Sequence, residues 1–189
     1  KGAYRRAKYA DQDIQVAAAG LAPNVADAGD EWALSDLTFL QRMYDAGAAG
    51  YYDIMAVHAY GNVFPPDDSP APDRINFARA ELIHDLMVEN GDDKPIIITE
   101  GGWNDHPRWT KAVRPSQRIA YTIQAYEKAL REWDWCLGPA FWAFRTPWPQ
   151  RNFRDYFSFV TPEFIVKPIY EEVQGYARGA TDWLEGVPK

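Results

Sequence analysis

Cysteine is nearly absent from this chain: Cys136 is the only one in 189 residues. A single thiol excludes an internal disulfide framework and any Cys-built metal cluster. Histidine is scarce too. His58, His84 and His106 show no His-x-x-x-His spacing, so no zinc site is expected. A calcium loop needs more oxygen ligands at regular intervals than Asp67-Asp68 or Asp92-Asp93 offer, and both pairs read as solvated loop charges. Excess positive charge is missing as well. A net charge of −7 argues against nucleic acid or an anionic membrane surface as partner. No run is long and apolar enough to span a membrane. No Gly-rich phosphate loop follows a strand-like segment, and nothing implies a cofactor. Low-complexity tracts and a dividing linker are also lacking.

Aromatic residues, by contrast, are plentiful. They make up 15% of the chain, with eight Trp and eleven Tyr. Stacking on sugars and filling large cores are the usual uses of such side chains. Periodicity gives four units in the order strand then helix. Ile14 to Ala19 reads as a strand of small residues ending at Gly20, and a helix follows from about Ser35 with Leu37, Leu40 and Tyr44 on one face. Asp53 to His58 is the second strand. A Pro- and Asp-rich loop separates it from a helix carrying Ile75, Ala78, Leu82 and Leu86, which Gly91 closes. Pro95 to Glu100 is the third strand, and its helix starts at Pro115 with Ile119, Ile123, Tyr126 and Leu130 aligned. Leu137 to Ala143 is the fourth strand, and Pro168 opens the last helix. Lys1 to Lys8 already reads as helix with no cap ahead of it, so the chain is expected to begin inside a domain.

Strands alternating with helices imply an α/β fold with a parallel sheet. Four units suit half of an eightfold barrel, or a small doubly wound sheet. Glu100 is the residue that bears on function. It follows Ile96-Ile97-Ile98-Thr99, a run that reads as a strand buried on both faces. An unpaired carboxylate is costly inside such a strand, but the C-terminal end of a parallel sheet opens into a pocket where catalytic groups sit. Strict alternation puts Ile96, Ile98 and Glu100 on one face, Ile54, Ala56, His58 and Tyr60 on one face, and Ala140 with Trp142. If these faces point into a barrel, His58, Tyr60, Glu100 and Trp142 converge at its mouth. There the indole can stack on a pyranose, and the phenol can donate to the carboxylate.

These residues carry a resemblance. Asp53-Ile54-Met55-Ala56-Val57-His58-Ala59-Tyr60-Gly61 and Ile98-Thr99-Glu100-Gly101-Gly102-Trp103 resemble the sixth and seventh strands of clan A glycoside hydrolases. Ala140-Phe141-Trp142-Ala143-Phe144 is similar to their eighth strand, Val16 to Asn24 to their fifth, and Tyr156 to Glu171 to their closing loop and last helix. The resemblance implies a (β/α)8 TIM barrel, of which residues 1–189 are the C-terminal half with strands five to eight. It implies a retaining hydrolase of β-linked glycosides or polysaccharides, with Glu100 as nucleophile, Tyr60 orienting it, and His58, Trp142 and Trp103 contacting the sugar. It also implies no metal or cofactor, and a substrate class that suits a secreted or cell-surface protein. The family's acid/base glutamate follows an Asn at the end of strand four. No Asn-Glu pair occurs in this chain, so that residue and the N-terminal half of the barrel are expected upstream of Lys1.

Each residue also has a structural reading. Glu100 could be a helix-start carboxylate held by backbone N–H groups, His58 a core histidine, Tyr60 a ring packed under Pro65-Pro66, and Trp142 ordinary core. Trp103, Trp109 and Trp148 lie in loops, where stacking on substrate and loop anchoring are both open. The competing function is a non-catalytic carbohydrate-binding or structural module on the same architecture.

Overall fold

The computed structural model describes residues 1–26, 30 and 32–179. Residues 180–189, the end of the expected domain, lie outside the described residues. Among the described residues, five α-helices and three strands follow one another as α1 (Gly2–Ala10), α2 (Asp36–Asp45), β1 (Met55–Tyr60), α3 (Arg79–Glu89), β2 (Ile96–Gly102), α4 (Pro115–Arg131), β3 (Cys136–Pro139) and α5 (Pro168–Ala177). The sheet is parallel throughout, in the order β1-β2-β3. Single parallel bridges from Ala17 to Ile54 and from Leu21 to Val57 lay a fourth extended segment along the free edge of β1. The expected strand at Ile14 to Ala19 is thus a two-bridge edge segment shifted toward Leu21. Beyond β3, Ala140 N–H donates to Ile98 O (2.7 Å) and Trp142 N–H to Gly101 O (2.9 Å), so the chain follows β2 further than the regular strand does.

One face of the sheet is dry. Met55, Val57, Ile96 and Ile98 are at most 2% exposed and share a cluster with Ala80, Ile83 and Met87 of α3 and Ala125 and Ala129 of α4. Complete burial of such an aliphatic side chain contributes roughly 1.5–3 kcal/mol. The helices start and stop where local chemistry says they should. Pro115 and Pro168 occupy first-turn positions, and Gly91 ends the α3 region at φ +71°, a conformation that favours glycine. The buried stripe of α3 is Ile83 and Met87 rather than Leu82 and Leu86, and Leu130 of α4 is exposed. The expected α3 stripe is rotated by one residue, whereas in α4 the expected Ile123 is fully buried, in a face that mixes it with small and polar residues such as Thr122, Ala125 and Ala129.

Asp92 corrects another expectation. It is buried rather than solvated, accepting from Tyr44 (2.9 Å), from Tyr52 and from Lys94 Nζ (2.7 Å). Burial opposes its charge, but these donors outweigh burial and hold the carboxyl below its ordinary value. Asp68, too, is tied down, by Arg74 and Asn76. Among the described residues, no helix is long and apolar enough to cross a membrane.

Candidate functional site

The decisive local feature is a slip in strand register. β1 and β2 pair as Met55 with Ile96, Ala56 with Ile97 and Val57 with Ile98, but His58 pairs with Glu100. Thr99 is therefore one extra residue, a β-bulge, and bulges re-aim the side chains that follow them. Without it Glu100 would share the face of Ile96 and Ile98 and point at the helices. With it, Glu100 stands on the face of His58 and Tyr60. The expectation that Ile96, Ile98 and Glu100 line one interior face is corrected here: the two isoleucines are fully buried under the helices, and the carboxylate is on the other side. Ala56, expected on the face of His58 and Tyr60, is 2% exposed.

On that other face the Tyr60 hydroxyl donates to Glu100 Oε1 in a short hydrogen bond. His58 Nδ1 lies 3.8 Å from Glu100 Oε2, too far for a hydrogen bond but within ion-pair range when the imidazole is protonated. Glu100 keeps 34% of its side-chain surface exposed, so the carboxylate is held by the phenol yet open to an incoming group. Burial, and after it the bond to Glu100, pushes the Tyr60 phenol well above the ordinary tyrosine value. The hydroxyl therefore keeps its proton, and its role as donor, throughout the neutral range.

Two residues beyond the expected set shape this cluster. Phe157 stands between Tyr60 and Trp142, with ring centroids 5.6 Å and 5.4 Å away. Trp142 thus joins the site through Phe157, and the Trp142–Ala143 peptide bond is cis. Gly20 brings the edge segment against His58: a Cβ there would sit 2.4 Å from His58 Nε2 and 3.0 Å from Thr99 Oγ1. Only glycine permits that approach. A glycine at the end of a predicted strand was the sequence signal for it.

Trp103 does not belong to the site. It is 1% exposed, its indole N–H donates to Phe64 O (2.8 Å), and its ring packs on Phe77, Tyr121 and Phe141. A Cβ on Gly61 would fall 1.9 Å from this ring, so the indole lies directly on the Gly61 backbone. The residue anchors the loop after β1 and offers no face to a sugar. His84 stacks on Trp135 (4.6 Å, 12°), and the His106 ring meets Tyr156 edge-on (4.6 Å). Among the described residues, no three His, Cys, Asp or Glu side chains come together in a cluster able to hold a metal ion.

No family model and no curated protein matches the sequence. Solved structures do match the fold. A family 39 glycoside hydrolase from the gut symbiont Bacteroides cellulosilyticus WH2 superposes on 89% of this chain with a TM-score of 0.60 at 19% identity. A glycoside hydrolase family 17 β-1,3-glucanosyltransferase from Rhizomucor miehei superposes on 89% with a TM-score of 0.53 at 15% identity. The chain spans 34% of the first protein and 55% of the second. It therefore has the fold of part of a glycoside hydrolase, consistent with a partial (β/α)8 barrel.

Proposed function

We propose that this chain is the nucleophile-bearing, C-terminal half of a clan A retaining glycoside hydrolase acting on a β-linked glycoside or polysaccharide. The observation that carries the reading is the Glu100 cluster: a carboxylate at the C-terminal end of a parallel strand, turned to the open face by a bulge and bonded by Tyr60. In this reading Glu100 attacks the anomeric carbon and Tyr60 orients it. His58 contacts the carboxylate or the sugar, and Trp142 floors the subsite. A retaining reaction needs a second carboxyl about 5 Å from the first, to protonate the leaving oxygen and then activate water. That acid/base glutamate and the remaining strands come from the N-terminal half of the barrel, which pairs with the edges left by the Ala17–Leu21 segment and β3. The substrate is a carbohydrate, and the chemistry asks for no cofactor.

The test is turnover by the full-length protein carrying Glu100→Gln. The amide keeps the shape of the side chain but cannot form the glycosyl ester, so hydrolysis should fall on the order of a thousandfold or more with the fold intact. Unchanged hydrolysis would remove Glu100 from the reaction. A protein that binds glycans but turns over none, with or without Glu100, would be the non-catalytic module instead.

A further inference from the structure

Outside Lys1 and α1, which carries Arg5, Arg6 and Lys8, positive charge gathers in two further stretches of an otherwise acidic chain. Residues 106–114 hold Arg108, Lys111 and Arg114 with no acid, and residues 150–154 hold Arg151 and Arg154 with no acid. Asp105 and Asp155 border these stretches, but each is committed to an arginine. Asp105 takes Arg118 Nη1 at 3.4 and 3.5 Å, and Asp155 takes Arg145. Glu163 is exposed nearby in sequence and lines neither of the cavities described next.

Two cavities that share Tyr156 in their walls take in part of this charge. One, of about 670 Å³, is lined by Arg114, His106, Trp109, Gln117 and Tyr156 together with Asp105. The other, of about 260 Å³, is lined by Arg151, Lys167 and Tyr156 together with Asp155, and the two carboxylates in these walls are the ones already paired with Arg118 and Arg145. Among the described residues, neither Arg114 nor Arg151 is in an ion pair, and Lys167 Nζ reaches the backbone oxygen of Asp155 at 3.3 Å. Burial pushes the Lys167 ammonium down, against the opposing pull of the Asp155 and Asp105 carboxylates. The groove also lies next to the Glu100 cluster. The Trp109 ring is 6.1 Å from Phe157, which in turn touches Tyr60 and Trp142.

We propose that this groove binds a negatively charged sugar residue, carrying a carboxylate or a sulfate, at a position on the glycan beyond the one attacked at Glu100. Trp109 and Tyr156 supply aromatic surface for a pyranose, and His106 and Gln117 supply polar partners for hydroxyls. Arg114 and Arg151 supply forked donors for the anion, and Lys167 supplies a point charge. The inference deepens the hydrolase reading by naming the charge of the substrate, and it rests on that reading only for the link to Glu100.

The experiment uses full-length protein with Glu100→Gln, so that glycans bind without turnover. Affinities are measured for a panel that pairs each uronate-bearing or sulfated oligosaccharide with its neutral counterpart. The charged member of at least one pair should bind on the order of tenfold tighter at low salt, and the preference should fade as salt rises. Arg114→Ala combined with Arg151→Ala should erase the preference, so that in this variant the charged member binds no tighter than its neutral counterpart. The uronate and sulfate arms separate the two anions. Equal binding of charged and neutral partners, a preference that survives both substitutions, or no binding across the panel would overturn the proposal. Turnover is read separately on the unsubstituted protein. Its absence would remove the hydrolase reading and leave a charge preference standing.

Discussion

The two faces of β1 and β2 are built on opposite rules. Toward the helices stand Met55, Val57, Ile96 and Ile98, sealed from water in one apolar cluster. Toward the open side stand His58, Tyr60 and Glu100, partly exposed and joined by polar contacts. The helix face stabilises the sheet, and the open face uses that rigidity to hold a carboxylate within reach of solvent. A single extra residue, Thr99, decides which face Glu100 joins. In the proposed reading the chemistry thus depends on a backbone irregularity as much as on side-chain identity.

Deleting Thr99 is the sharpest way to break the comparison. Restored register would turn Glu100 into the apolar cluster, where an unpaired charge costs several kcal/mol. The full-length deletion variant should lose both hydrolysis and stability, as read by turnover and by a denaturant midpoint. Thr99→Ala keeps the extra residue and should keep both. Activity that survived the deletion would show that the bulge does not aim the carboxylate.

Trp103→Ala attacks the sealed side instead. The indole is fully buried and spans the loop after β1, so its loss should cost about 3–5 kcal/mol of stability. A substrate contact would show itself differently, as a raised KM with an unchanged denaturant midpoint, and that outcome would return Trp103 to the site.

Much of this arrangement was legible in the residues. The run of three isoleucines ending at Glu100, and the His58-Ala59-Tyr60 sequence, placed three polar groups at neighbouring strand ends, and they meet there. The order of strands and helices was legible too, because Pro115, Pro168 and Gly91 mark helix ends. Alternation with a period of two has no means of registering a bulge, so Ile96 and Ile98 were expected on the wrong face. Burial of Trp103 and Asp92 depends on contacts across 39 and 48 residues of sequence, from Phe64 and Tyr44, which no local pattern encodes. Phe157 joins Tyr60 to Trp142 from the far end of a long loop, and nothing in its own neighbourhood announced that role.

Tyr60→Phe sharpens the comparison on the open face and should have the smallest effect. Removing one donor to a carboxylate should lower kcat/KM about tenfold. The phenol is held above the ordinary tyrosine value, so its donor is intact through neutral pH and is lost only as pH rises through that raised value. An unchanged kcat/KM would mean that Tyr60 serves packing against Phe157 alone.

The central claim is that Glu100 forms the covalent glycosyl intermediate. Full-length protein is incubated with an activated fluoroglycoside, digested, and its peptides are weighed and sequenced by mass spectrometry. The account predicts one glycosyl adduct, on the peptide containing Ile98-Thr99-Glu100-Gly101-Gly102 and on Glu100 itself, with loss of activity matching its formation. An adduct on another carboxylate, or time-dependent inactivation with Glu100 unmodified, would contradict it.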